Sequence, residues 1–117
     1  MTIFFKEVKV EYLEVGKTGE VTEGTMRAYI VQGNNILVVN YEGNYYAIGG
    51  KCTHMGADLS KGKLDGKIVT CPSHGSKFDI TTGQSISGPK MGFLKLKTKN
   101  EPSYEVKIEG DTIKVNI

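Results

Sequence analysis

The chain contains two cysteines and two histidines, and all four fall between positions 52 and 74. They read Cys52-Thr53-His54, then sixteen residues, then Cys71-Pro72-Ser73-His74. A thiolate is a soft ligand and a neutral imidazole a borderline one, so both suit zinc, copper or iron–sulfur centres. Two tight pairs of this kind could close one tetrahedral site or serve two metals two by two. Competing uses of these residues fit less well. A disulfide-stapled extracellular scaffold normally carries more than two cysteines. No Cys-x-x-Cys is present, so the usual dithiol redox motif is absent. Nothing singles out one nucleophile and one base among the four, as a Cys/His catalytic pair would require.

The way the ligands are divided narrows the metal. A zinc finger places two cysteines at one knuckle and two histidines on a helix, and no helix is visible here. One Cys and one His in each segment lets the two cysteines hold one iron and the two histidines a second, the ligand set of a Rieske [2Fe–2S] cluster. The surrounding residues extend the likeness. Cys52-Thr53-His54-Met55-Gly56-Ala57 and Cys71-Pro72-Ser73-His74-Gly75-Ser76-Lys77-Phe78-Asp79, followed by Thr81-Thr82-Gly83 and Gly88-Pro89, resemble the paired motifs of Rieske-type ferredoxins. The resemblance runs from about Met26 to the C-terminus. It implies one Rieske-type [2Fe–2S] cluster, with Cys52 and Cys71 on an inner iron and His54 and His74 on an outer iron near the surface. Met55, Gly56, Ser76 and Pro89 would shape the cover over it. It also implies an all-β fold of three antiparallel sheets, with a small cluster-binding subdomain (about residues 47–90) inserted in a larger β domain.

Departures from the family pattern set further expectations. Relatives in quinol-oxidising complexes carry an extra cysteine in each loop, whereas Ala57 and Ser73 stand at those places here, so no such disulfide is expected. Phe78 stands where that branch has a tyrosine, which removes one hydroxyl donor; Ser76 is retained. Fewer donors stabilise the reduced, more negative centre less, so the potential is expected at the low end of the Rieske range, roughly −150 mV. Outward-facing histidine ligands would lose their remaining N–H proton more easily on ferric iron, and the potential should then fall at alkaline pH.

Short alternating segments must position these loops. Lys6–Tyr12, Met26–Val31, Ile36–Tyr41, Tyr45–Ile48 and Lys67–Thr70 read as strands. Gly33-Asn34-Asn35, Glu42-Gly43-Asn44, Asp65-Gly66 and Glu109-Gly110-Asp111 supply the residues that tight turns need. Tyr104, Val106 and Ile108, then Ile113, Val115 and Ile117, alternate with polar residues about the last of these turns, as in a hairpin lying on a core. Phe78, Tyr45 and Tyr46 are expected in the core or on sheet faces. Lys17–Thr25 is polar and reads as a loop. Each Cys/His pair follows a strand and is followed by glycine, so two similar loops would present two ligand pairs to one centre.

Length and charge remove other classes of function. At 117 residues the chain suits one domain, 1–117. A net charge of +2 offers no footprint for nucleic acid. The longest aliphatic run, Ile36–Val39, is far short of a membrane span, and Met1–Lys9 lacks the apolar core of a secretory signal, so a cytoplasmic protein is expected. Residues 51–90 hold six lysines and three aspartates, and Lys51, Lys61 and Lys77 could rim a docking face. No histidine remains for a mononuclear iron beside the cluster, so oxygenase chemistry is not expected within this chain. The expectation is an electron-transfer protein rather than an enzyme, linking a reductase to an oxygenase component or another redox enzyme. A small subunit resembling that of nitrite reductase is an alternative, and a zinc-stapled binding module is an alternative of another class.

Overall fold

The structure is a computed structural model that describes residues 11–53, 56–73, 75–88, 90, 91, 94, 95 and 98–117. Among these, twelve strands follow one another: β1 (Tyr12–Lys17), β2 (Met26–Val31), β3 (Asn34–Tyr41), β4 (Asn44–Gly49), β5 (Lys63–Asp65), β6 (Ile68–Thr70), β7 (Lys77–Asp79), β8 (Ser85–Ser87), β9 (Lys90–Met91), β10 (Leu94–Lys95), β11 (Ser103–Glu109) and β12 (Thr112–Asn116). Single 3₁₀ turns at Thr18–Glu20 and Leu59–Lys61 are the only helical elements among the described residues. None is long and apolar enough to cross a membrane. The strands form three antiparallel sheets: six strands in the order β1-β12-β11-β4-β3-β2, four in the order β5-β6-β7-β8, and the pair β10-β9. The architecture is the all-β, three-sheet arrangement that the ligand motifs imply.

The aliphatic run in β3 is explained by burial on both faces. Side chains alternate across a strand, so Leu37 and Val39 enter one apolar cluster while Ile36 and Val38 enter another. β4 divides in the same way, with Tyr46 and Ile48 on the first side and Tyr45 and Ala47 on the second. β3 and β4 therefore form a wall between two cores. The second core is closed by Ile113 and Val115 of β12. The first gathers Leu59, Val69, Phe78 and Ile80 with both cysteines. At one fully buried aliphatic side chain each, the four residues Ile36–Val39 contribute roughly 1.5–3 kcal/mol apiece.

The hairpins are tighter than the sequence suggests. Val31 pairs with Asn34 and Tyr41 with Asn44, which leaves two-residue turns at Gln32-Gly33 and Glu42-Gly43. All four turn residues have positive φ, as type I′ requires, and Asn34 and Asn35 begin β3 instead of making the turn. Residues 1–10 lie outside the described residues, so most of the strand expected over Lys6–Tyr12 does too. The observed first strand starts only at Tyr12 and extends to Lys17, where a loop was expected to begin. It tolerates Gly16 because a side chain there would meet the Tyr29 ring and the Glu20 carboxylate. Ile108 and Ile117, expected on the apolar face, are 41% and 40% exposed, because the final hairpin overhangs its core at the tip and at the chain end.

Candidate metal centre

Two loops of equal length carry the cysteines. In the first, the Cys52 N–H donates to the Ala57 carbonyl at 2.8 Å and the Gly56 N–H to the Cys52 carbonyl at 2.8 Å. In the second, the Cys71 N–H donates to the Ser76 carbonyl at 2.7 Å and the Gly75 N–H to the Cys71 carbonyl at 3.2 Å. Each cysteine thus begins a six-residue loop closed by the same two bonds. The closing glycines adopt matching left-handed conformations, φ 74° at Gly56 and 78° at Gly75, which a side-chain-bearing residue rarely adopts.

Both thiols are buried, 3% and 4% exposed, in the apolar cluster with Leu59, Val69, Phe78 and Ile80. Two soft donors brought by separate loops into one apolar cluster fit a group that needs two thiolates on its inner side. His54 and His74, the ligands expected from the sequence for the outer side, belong to the same two loops along the chain but lie outside the described residues, as do Met55 and Pro89. Of the other residues expected to shape the cover, Gly56 closes the first loop and Ser76 is completely buried, its hydroxyl 3.5 Å from that of Thr98. Phe78 is fully buried and Tyr45 and Tyr46 half-buried, as core and sheet-face residues.

A second device repeats beyond the loops, directly after the first and at the end of β7 after the second. Asp58 accepts from the Ser60 N–H and hydroxyl at 3.0 and 2.7 Å, and Asp79 accepts from the Thr81 N–H and hydroxyl at 2.8 and 2.6 Å. Burial works against both charges. The hydroxyl and amide donors, with Lys51 and Lys61 beside Asp58 and Lys67 beside Asp79, outweigh it and hold both carboxyls below their usual range. The residue enclosed by each turn, Leu59 or Ile80, points into the core beside the cysteines. Of the lysines expected to rim a docking face, Lys51 and Lys61 are exposed and Lys77 is half-buried.

One buried acid is not anticipated by any motif. Glu101, 5% exposed, accepts the Thr53 N–H at 2.9 Å and makes no ion pair among the described residues. Burial raises its pKa to about 7, and the Thr53 N–H only partly opposes that rise. Because the folded value lies above the ordinary one, an unfolded chain loses this proton first as pH rises, and native stability falls between about pH 4.5 and 7. Glu101→Gln should remove this part of the pH profile and gain roughly 1–3 kcal/mol at pH 8. Melting temperatures of both proteins across that range check it, and parallel profiles would contradict the assignment.

Comparison with known proteins places this site in a family. The sequence model of the Rieske [2Fe-2S] domain matches residues 11–112. The ferredoxin component of a naphthalene 1,2-dioxygenase system from Pseudomonas aeruginosa is 34% identical over 98 residues, covering 84% of this chain and 88% of that protein. A cytochrome b6-f complex iron-sulfur subunit from Chlorobaculum thiosulfatiphilum is 36% identical over 104 residues, 89% of this chain but 52% of that protein. Among solved structures, a chain from the complex of reduced oxygenase and oxidized ferredoxin in carbazole 1,9a-dioxygenase superposes with a TM-score of 0.77 at 29% identity, covering 92% of this chain and 94% of that one. Sequence match and three-sheet fold agree with the twin thiol loops: the chain belongs to the Rieske [2Fe–2S] domain family, and its cofactor is a Rieske-type [2Fe–2S] cluster.

Proposed function

We propose that this chain is a one-electron carrier that accepts electrons from a reductase and delivers them to an oxygenase component or a similar redox enzyme. The observation that carries the reading is the pair of buried thiols at the bases of two equivalent loops. Cys52 and Cys71 hold the inner iron, and His54 and His74 the outer one. When bound, the cluster takes up one electron and gives it back. The chain's own part is to fix the thiolates in an apolar setting and to keep water from them, through Leu59, Phe78 and Ile80. Gly56 and Ser76, with Met55 and Pro89, complete the cover. Residues 47–90 act as the cluster-binding subdomain of a single domain. The partner class follows the relatives named as ferredoxin components of dioxygenase systems. Contacts of this kind are small, under about 1,200 Å², and dissociate readily. Two buried thiols that serve as metal ligands suit the reducing cytoplasm.

Ala57 packs against the apolar core, and Ser73 stands at the second place where a disulfide-bearing relative would need a cysteine. Together with Phe78, this favours a potential near the low end of the family range, roughly −150 mV. An absorption spectrum of the oxidised protein and an EPR spectrum after dithionite reduction test the reading. A red-brown protein with a rhombic signal of average g below the free-electron value is expected. A colourless, EPR-silent protein holding one zinc would overturn it in favour of the structural binding module.

A further inference from the structure

Glu101 lies 48 residues from Thr53 along the chain, yet its carboxylate accepts the N–H of the residue that follows Cys52. The same threonine is held a second time, its hydroxyl donating to the Lys99 carbonyl at 2.6 Å. The short segment 98–101 reaches the other loop as well, through the Thr98 and Ser76 hydroxyls. It is itself pinned to the β7–β8 turn by the Glu101 N–H on the Gly83 carbonyl at 2.7 Å and by Asn100 Oδ1 accepting from the Ser85 N–H at 2.8 Å.

Room for Glu101 is made by two glycines. A side chain at Gly49 would run into the Glu101 carboxylate, and one at Gly83 into its backbone carbonyl. Among the described residues, the groups set against the acid are the backbone of Gly49 and Gly83, the Thr53 N–H and, from β11, the Tyr104 phenol, whose own pKa is raised by burial and by the Glu101 charge. No cation among the described residues pairs with it, and burial raises its pKa to about 7, so above neutral pH it is a carboxylate held against the ligand loop. Such a group weakens the fold, and a carboxylate is not needed merely to accept one N–H, since a glutamine would do so without the charge.

We propose that Glu101 is a positioning residue for electron transfer: it ties the Cys52 loop to the β7–β8 turn and sets a negative charge against that loop's backbone, which lowers the cluster's reduction potential. The physical basis is that a fixed negative charge disfavours an added electron, and more so where water is excluded. The proposal rests on the cluster assignment made above.

The test compares the cluster-loaded wild-type protein with Glu101→Gln and Glu101→Ala at pH 8, reading the midpoint potential, the EPR spectrum and hydrogen exchange of the peptide spanning residues 50–58. Glu101→Gln should shift the potential upward while keeping the Rieske signal and wild-type exchange, because its amide oxygen still accepts from Thr53. Glu101→Ala should also raise the potential, and should speed exchange of that peptide at least tenfold. A wild-type Rieske signal with an unchanged potential in Glu101→Gln overturns the electrostatic role. Unchanged exchange in Glu101→Ala overturns the anchoring role. Absence of the signal from the wild-type protein overturns the cluster assignment itself, and this proposal with it.

Discussion

Cys71→Ser is expected to leave the protein colourless, with bound iron falling from two per chain to near zero. The serine side chain is nearly isosteric, so little packing is lost, but its oxygen is a hard donor that stays protonated at neutral pH. The chain has no third thiol to substitute, because its two cysteines stand at the two loop bases. Cys52→Ser should behave alike, since the two loops close with the same bonds. Stability follows the metal: a group bound only by the native state adds its binding free energy to folding, so the loaded wild-type protein should melt well above either variant. With the cluster removed from all three, the difference should shrink to about 1–3 kcal/mol, the cost of burying a hydroxyl. Iron and sulfide analysis beside thermal melts checks this. A Cys71→Ser protein that keeps two irons and the rhombic EPR signal would refute the ligand assignment.

Phe78→Ala should cost about 3–5 kcal/mol, a large part of the 5–15 kcal/mol typical of a domain this size. Phe78 is completely buried on β7, opposite Val69, within the apolar cluster that contains both cysteines. The four-stranded sheet has strands of only three residues, so few other contacts can take up the loss. The cavity would open among the residues that keep water from the thiols. Cluster loss in air should therefore accelerate together with unfolding. Chemical denaturation with a parallel record of visible absorbance measures both. A loss below about 1 kcal/mol, with unchanged cluster lifetime, would show that Phe78 does not support the loops.

The chemistry of this protein was legible because ligand types and their spacing are local properties. Cys52-Thr53-His54 and Cys71-Pro72-Ser73-His74 need no tertiary partner to be recognised as two split ligand pairs. The final hairpin was legible for a related reason: its alternation and its Glu109-Gly110-Asp111 turn lie within fourteen residues of one another. Three-residue strands such as β5, β7 and β8 carry too little pattern to be seen alone, and exist because a neighbour pairs with them. The strand Tyr12–Lys17 carries little pattern of its own, and its Gly16 is explained only by the Tyr29 ring and Glu20 carboxylate that occupy the space above it.

Which four side chains could take part in the centre, and how they divide between two loops, is set by residue order along the chain. Tertiary structure decided that the two cysteines share one apolar cluster and that the loops close identically, since those facts depend on hydrogen bonds and packing across separate strands. It alone decided the place of Glu101. A glutamate among Lys99, Asn100 and Pro102 looks like ordinary solvated surface. Only the return of the chain through β11, alongside β4, carries its carboxylate into the protein and onto the N–H of Thr53.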